Sequence, residues 1–252
     1  MIDLRGKKVL ITGGSRGIGK ATAVLLSLAG SDVSLNYFNQ KEAADEVKAS
    51  VEANGRECLT FKADISQERE VNSMVKNIID RWGQIDILVN NAGIWTYGEM
   101  GNMDASVWAE TMKINLDGVF YACNAVVPAM KMKGQGGIIN VSSTAGVRGE
   151  AFHSHYAASK GALMSFTKSL AVELASFGIR VNCVTPGWVD TDMCTEVFSD
   201  RDFRRKVEES IPLKRIPGPE DIAGPILFLA SELSRHITGE ILNVNGGSVL
   251  CG

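Results

Sequence analysis

Residues 7–19, KKVLITGGSRGIG, decide the fold. The run from Lys7 to Thr12 is short, apolar and β-branched, the composition of a buried strand. Gly13, Gly14, Gly17 and Gly19 break it, and Ala21, Val24, Leu25 and Leu28 then recur at helical spacing until Gly30 stops the helix. A strand that feeds a helix through glycines presents free N–H groups at the helix N-terminus, where the backbone can approach a pyrophosphate closely. The glycines fall as GxxxGxG rather than GxGxxG, but the physical demand on the turn is the same. We therefore expect Gly13, Ser15, Arg16, Gly17, Ile18 and Gly19 to hold a phosphate-bearing ligand. A plain tight turn is the alternative.

Working outward, six more strand-like runs follow: SDVSLNYF, CLTFKAD, DILVNNAG, GGIINVSS, IRVNCVTPG and ILNVNGG. Longer amphipathic stretches separate them, which predicts a parallel sheet with helices on both faces. One of these helices is expected from about His155 to Phe177, closed by Gly178. No repeat or linker interrupts the order, and 252 residues suit one doubly wound (Rossmann) α/β domain of seven strands. Its ligand belongs outside the carboxyl ends of the strands. The charged stretch Asp190–Arg215 departs from the alternation and reads as an insertion, a substrate lid at about 188–215.

Composition narrows the function classes. Hydrophobic residues are 45% and charged residues 22%, close to average globular usage. With 26 basic and 29 acidic side chains the net charge is −3, so no bulk positive field favours nucleic acid. The nearly apolar stretch Ala21–Ala29 is less than half a membrane span, and Asp3, Arg5, Lys7 and Lys8 stand where a signal peptide would be apolar; a cytoplasmic protein is expected. Cys58, Cys123, Cys183, Cys194 and Cys251 form no CxxC pair, so they read as small buried hydrophobes rather than a metal or disulfide framework.

A dinucleotide fold that prefers NAD carries an acid at the end of its second strand, about 20 residues past the glycines. Here that position reads Leu35-Asn36-Tyr37-Phe38-Asn39, with no acid. Arg16 in the turn can pair with a 2′-phosphate, which favours NADP(H) over NAD(H); a solvated surface arginine is the alternative. Asn36 and Asn39 either assist the phosphate or cap the next helix.

Tyr156 and Lys160 lie four apart on a predicted helix and share a face. A phenol titrates near 10, and a neighbouring ammonium, helped by the charge of an oxidised nicotinamide ring, lowers that value, so the pair suits proton exchange with a carbonyl oxygen. Ser143, at the end of the IINVSS strand, offers a hydroxyl to the same oxygen.

TGGSRGIG at 12–19, Asp64, NNAG at 90–93, Asn115, Ser143, YxxxK at 156–160 and Pro186-Gly187 together resemble the short-chain dehydrogenase/reductase family from Lys7 to Gly247. The resemblance implies that Tyr156 is the general acid/base and Ser143 polarises the substrate oxygen. Lys160 would bind the nicotinamide ribose, and Asn115 would hold a water. The same resemblance puts Tyr37, Asp64 and Ile65 at the adenosine end of the cofactor and Asn91, Ala92 and Gly93 along its centre. Pro186, Gly187, Val189 and Thr191 would close around nicotinamide. A homotetramer is also implied, and Ala122, Ala125 and Ala162 offer small surfaces for it.

The sequence looks closest to 3-oxoacyl-[acyl-carrier-protein] reductases, then to sugar 1-dehydrogenases and secondary-alcohol dehydrogenases. Carrier-using reductases place two arginines where this chain has Gly134 and Phe177, a departure against carrier-protein docking; Lys131 and Lys133 are the nearby charges. Trp95, Trp188, Met193, Cys194 and Phe198 suggest an apolar substrate wall or, alternatively, simple lid packing. Trp82 and Trp108 are expected in the core, Asn90 is expected to bond backbone between strands, and Asp86 to cap. His153 and His155 invite a histidine-base reading, which the tyrosine and lysine make unnecessary. A nucleotide-binding module without turnover is the other class, and the intact set Asn115, Ser143, Tyr156 and Lys160 argues against it. A Ser143 hydrolase lacks a GxSxG elbow.

Overall fold

Strand β1 (Lys8–Thr12) is third in a seven-stranded sheet ordered β3-β2-β1-β4-β5-β6-β7, every pairing parallel. The computed structural model describes residues 2–250. The other strands are β2 (Asp32–Tyr37), β3 (Cys58–Lys62), β4 (Ile87–Asn90), β5 (Gly136–Val141), β6 (Ile179–Pro186) and β7 (Ile241–Val244). All seven expected strands form, each within its predicted run.

The crossovers are α1 (Gly17–Leu28), α2 (Lys41–Ala53), α3 (Glu68–Trp82), α4 (Ala105–Met112), α5 (Gly118–Lys133), α6 (Thr144–Arg148) and α7 (Ser154–Leu174), followed by α8 (Thr195–Phe198), α9 (Arg201–Ser210) and α10 (Pro219–Ala230). A π-helical turn, Lys113–Asp117, joins α4 to α5. One core packs α1, α2 and α10 on one face of the sheet through Leu26, Val47 and Ile226 against Val9, Ile11 and Val33. The other packs α3, α5 and α7 through Ile78, Val126 and Leu163 against Leu10, Leu88 and Ile138. The central strands are apolar on both sides because both faces are covered.

The strand order reverses at β1, with β2 and β3 on one side and β4 to β7 on the other. The glycine turn, the loop after β4 and the loop after β5 therefore meet at one crevice. Helix α7 ends at Leu174, and a 3₁₀ turn over Ala175–Phe177 carries the chain to Gly178 at φ +69°.

Three expectations fail here. Trp108 is 42% exposed on α4 rather than in the core. Ala122 is fully buried against the sheet, so it offers no surface to another subunit. Asn90 bonds a side chain, not backbone: its Nδ2 donates to Asn140 Oδ1 at 2.9 Å, and Asn140 Nδ2 donates to Thr167 Oγ1 at 2.8 Å. That buried chain ties β4 and β5 to α7. Asp86 caps as expected, accepting from the Lys8 amide, and Cys58, Cys123, Cys183 and Cys194 are buried; Cys251 lies outside the described residues. Among the described residues no helix is long and apolar enough to cross a membrane.

Candidate active site

The glycine turn is locked from three sides. Asn36 Oδ1 accepts from the Gly13 amide at 2.7 Å while its Nδ2 donates to Ala63 O at 2.8 Å. Asn91 Nδ2 donates to Gly13 O at 2.9 Å, and Thr12 Oγ1 accepts from the Asn91 and Ala92 amides. Asn36 thus shapes the turn, and neither it nor the exposed Asn39 caps α2; both line the cleft. A Cβ on Gly19 would stand 2.2 Å from Gly13 O, and Gly13 adopts φ +63° with Ala92 Cα 2.9 Å from where its Cβ would be. Both positions need glycine. The first turn of α1 has no side-chain cap and no acidic residue, so its amides are open to an anion.

This turn forms one end of a cleft of about 750 Å³. Every cofactor position expected from the sequence lines it except Gly19, which packs beneath the turn: Gly13, Ser15, Arg16, Gly17, Ile18, Tyr37, Asp64, Ile65, Asn91, Ala92, Gly93, Pro186, Gly187, Val189 and Thr191. The cleft's size, its uncapped helix end and a cradle that a Cβ would fill fit a nicotinamide dinucleotide. Arg16 Nη1 lies 3.6 Å from Asp192, both side chains well exposed.

Ser143, Tyr156 and Lys160 line the other end. Lys160 is 4% exposed, and its Nζ donates to Val141 O at 2.9 Å. Burial holds its pKa down at about 8. Its ammonium lies 5.8 Å from the centre of the Tyr156 ring, yet the phenol is not lowered: burial pushes it up to about 12, with the Ser143 hydroxyl pulling the other way. The expected lowering draws on the charge of an oxidised nicotinamide ring as well as on the ammonium; in the free protein desolvation is the largest influence on the phenol.

Ser143 Oγ accepts from the Ala145 amide at 3.1 Å, capping α6. Ser142 points the opposite way and donates to Lys160 O at 2.6 Å, a structural bond. Asn115 sits in the π-helical turn, a common feature of functional sites. Its Oδ1 accepts from the Ile94 amide at 2.8 Å, and its Nδ2 donates to Ile94 O at 3.0 Å and Ser159 Oγ at 3.2 Å. A Cβ on Gly93 would lie 3.1 Å from Asn115 Oδ1 and 3.3 Å from Lys160 Nζ, so Gly93 lets the three residues converge.

Trp95, Trp188, Met193 and Cys194 line the substrate side. Trp95 stacks on His153 at 4.4 Å and meets Trp188 edge-on at 5.8 Å. Phe198 is not part of the wall: it is buried behind Trp188, 5.5 Å away, in a separate cluster with Val207 and Ile211. His155 is fully buried, paired with Thr96 Oγ1 at 3.0 Å and held neutral by burial, so it clasps the Trp95 loop to α7. Near α5, Lys131 covers the Phe177 ring at 4.5 Å and Lys133 is bound by Asp86. Sequence reasoning missed Glu150, which lines the cleft, and Asn140. A polar residue in the middle of the apolar strand IINV was a usable signal for Asn140; a glutamate in a turn offered none for Glu150.

Comparison with known proteins agrees with this geometry. Residues 13–248 match a family model described as Enoyl-(Acyl carrier protein) reductase. The chain is 40% identical over 251 residues to a 3-oxoacyl-[acyl-carrier-protein] reductase of Synechocystis, covering 99% of this chain and 100% of that one. It is 39% identical to 3-oxoacyl-[acyl-carrier-protein] reductase FabG of Staphylococcus epidermidis, covering 96% and 98%. A crystal structure of NAD+-bound xylitol dehydrogenase superposes with a TM-score of 0.92 at 31% identity, over 96% of this chain and 99% of that one. The chain belongs to the short-chain dehydrogenase/reductase family, oxidoreductases that act on CH–OH groups with a nicotinamide cofactor.

Proposed function

We propose that this chain interconverts a ketone and a secondary alcohol with NADP(H), in one catalytic domain, and that 3-oxoacyl thioesters are its first substrate class. The observation that carries the reading is the convergence of Ser143, Tyr156 and Lys160 on one end of a cleft whose other end is an uncapped helix N-terminus. The bound nicotinamide supplies or accepts the hydride.

Ser143 Oγ accepts from the Ala145 amide, which leaves its proton free to bond the substrate carbonyl oxygen. The Tyr156 phenol, raised to about 12, is protonated at neutral pH and still acidic enough to protonate an alkoxide. Lys160 has one N–H committed to Val141 O and its others available for ribose hydroxyls. Both Asn115 amide donors are spent, so a water held there donates to the spare lone pair of Oδ1.

The preference for NADP(H) rests on Arg16 and on a β2 terminus without an acid. The Arg16–Asp192 pair is exposed and weak, so the guanidinium is free to meet a 2′-phosphate. Thioesters are supported by the two reductases at 39–40% identity. Gly134 and Phe177 in place of arginines support coenzyme A rather than a carrier protein as the handle. A second reading, a hydroxylated ketone or sugar, is favoured by Glu150 and the tryptophans on the substrate wall. Residues 188–215 act as a lid with their own small core of Cys194, Phe198, Val207 and Ile211. Exposed Phe120 on α5 and Val172 on α7 suit the contacts of a homotetramer working in the cytoplasm.

The test follows NADPH and NADH absorbance against acetoacetyl-CoA, a 3-oxoacyl carrier thioester, cyclic ketones and diketones, and glucose with oxidised cofactor. Thioester turnover with NADPH supports the first substrate class. Activity confined to free ketones or sugar removes it while keeping the reaction.

A further inference from the structure

Glu150 is a carboxylate that the chemistry above does not use. It sits in the turn between α6 and α7, lines the cleft, and has a side chain 23% exposed. The Trp95 side chain serves it as a hydrogen-bond donor, which leaves most of the carboxylate's acceptor positions open. His153 Nδ1 comes within 3.8 Å, but that nitrogen is 3.0 Å from Ala151 O, and a carbonyl can only accept. The His153 proton is therefore committed to Ala151. Burial, the largest influence, raises its pKa, while the charge of His153, the Trp95 hydrogen bond and the charge of Arg148 pull it down in that order. The Glu150 charge also reaches the catalytic end, where it adds to the rise in the Tyr156 pKa.

The turn that carries Glu150 is held in one shape. The Gly98 amide donates to Phe152 O at 2.8 Å, and Phe152 adopts φ +64°, a left-handed conformation that side chains resist. The Tyr97 ring stacks on Phe152 at 5.7 Å, and Trp95 stacks on His153. A partly desolvated carboxylate on a fixed turn, with acceptor positions left over beside the Trp95 indole, is built for a ligand that brings a donor of its own. Flat aromatic surface beside a carboxylate suits C–H faces and hydroxyls together.

We propose that Glu150 determines specificity by accepting a hydrogen bond from a hydroxyl on the substrate close to the reacting carbonyl, so that among free ketones those with a neighbouring hydroxyl, and the corresponding diols, are favoured. The inference rests on the carbonyl-reductase reading and follows its hydroxylated-substrate branch.

The test compares kcat/KM with NADPH for butanone, 3-hydroxy-2-butanone and 4-hydroxy-2-butanone in the wild type, Glu150→Ala and Glu150→Gln. A hydrogen bond to a charged acceptor predicts that the better hydroxy ketone exceeds butanone by roughly tenfold to a hundredfold in the wild type. In Glu150→Ala that ratio falls to about one, whatever the absolute rate on butanone, and Glu150→Gln, which keeps an acceptor oxygen, restores part of it. A wild-type ratio of one for both hydroxy ketones overturns the inference whether or not the variants fold. So does an equal loss on all three ketones in Glu150→Ala. No turnover of any ketone by the wild type, thioesters included, instead removes the carbonyl-reductase reading itself.

Discussion

Replacing Lys160 by methionine should change how stability depends on pH, by an amount that follows from its burial. The ammonium is 4% exposed, and its pKa stands at about 8 against 10.5 in the open chain. At about 1.36 kcal/mol per unit, folding disfavours the charged form by roughly 3 kcal/mol. Below pH 8 both states hold the proton and this group adds no slope. Between pH 8 and 10.5 the unfolded chain keeps the proton and the folded chain releases it, so stability rises with pH. From pH 7 to pH 9.5 the rise comes to about 2 kcal/mol. Lys160→Met keeps the length of the side chain and removes this dependence.

Urea unfolding of both proteins without cofactor, at equal protomer concentration, measures the effect. The wild type should gain about 2 kcal/mol on the variant between the two pH values, other titrations cancelling in the difference. Profiles parallel within about 0.5 kcal/mol would mean that Lys160 titrates at its ordinary value. The desolvation argument would then be wrong.

Two other substitutions probe the cofactor end of the cleft. Arg16→Ala should weaken NADPH binding by about tenfold while changing NADH much less, as fluorescence titration would show; equal losses refute the phosphate pairing. Gly19→Ala puts a Cβ 2.2 Å from Gly13 O and should abolish calorimetric cofactor binding, whereas Gly224→Ala, which meets nothing within 4 Å, should leave it intact. Normal affinity in Gly19→Ala would show that the turn is not the phosphate cradle.

Most of the architecture was legible because the two periodicities rarely conflict in this chain. Apolar β-branched runs such as Ile87–Asn90 and Ile179–Pro186 are buried on both faces, and glycines mark where strands become helices. The motif residues were legible because their chemistry constrains type and spacing at once. Side-chain pairing across the fold was not. Asn36 belongs to the glycine turn only because β2 runs beside β1, and Asn90 finds Asn140 only because β4 neighbours β5. Trp108 and Ala122 were misplaced because helical spacing defines a face but not which face meets the sheet. The sequence shows a lysine four residues from Tyr156 but not the burial that raises the phenol in the free protein. Glu150 is brought to the cleft by a turn whose conformation depends on Gly98, far away in sequence.

The decisive measurement is the turnover of Tyr156→Phe on the best ketone found, set beside its NADPH affinity. Loss of the proton donor predicts a kcat lower by about a hundredfold to ten-thousandfold with NADPH binding almost unchanged. A variant that kept close to the wild-type rate would show that the proton comes from elsewhere, and that Tyr156 is not the acid of this site.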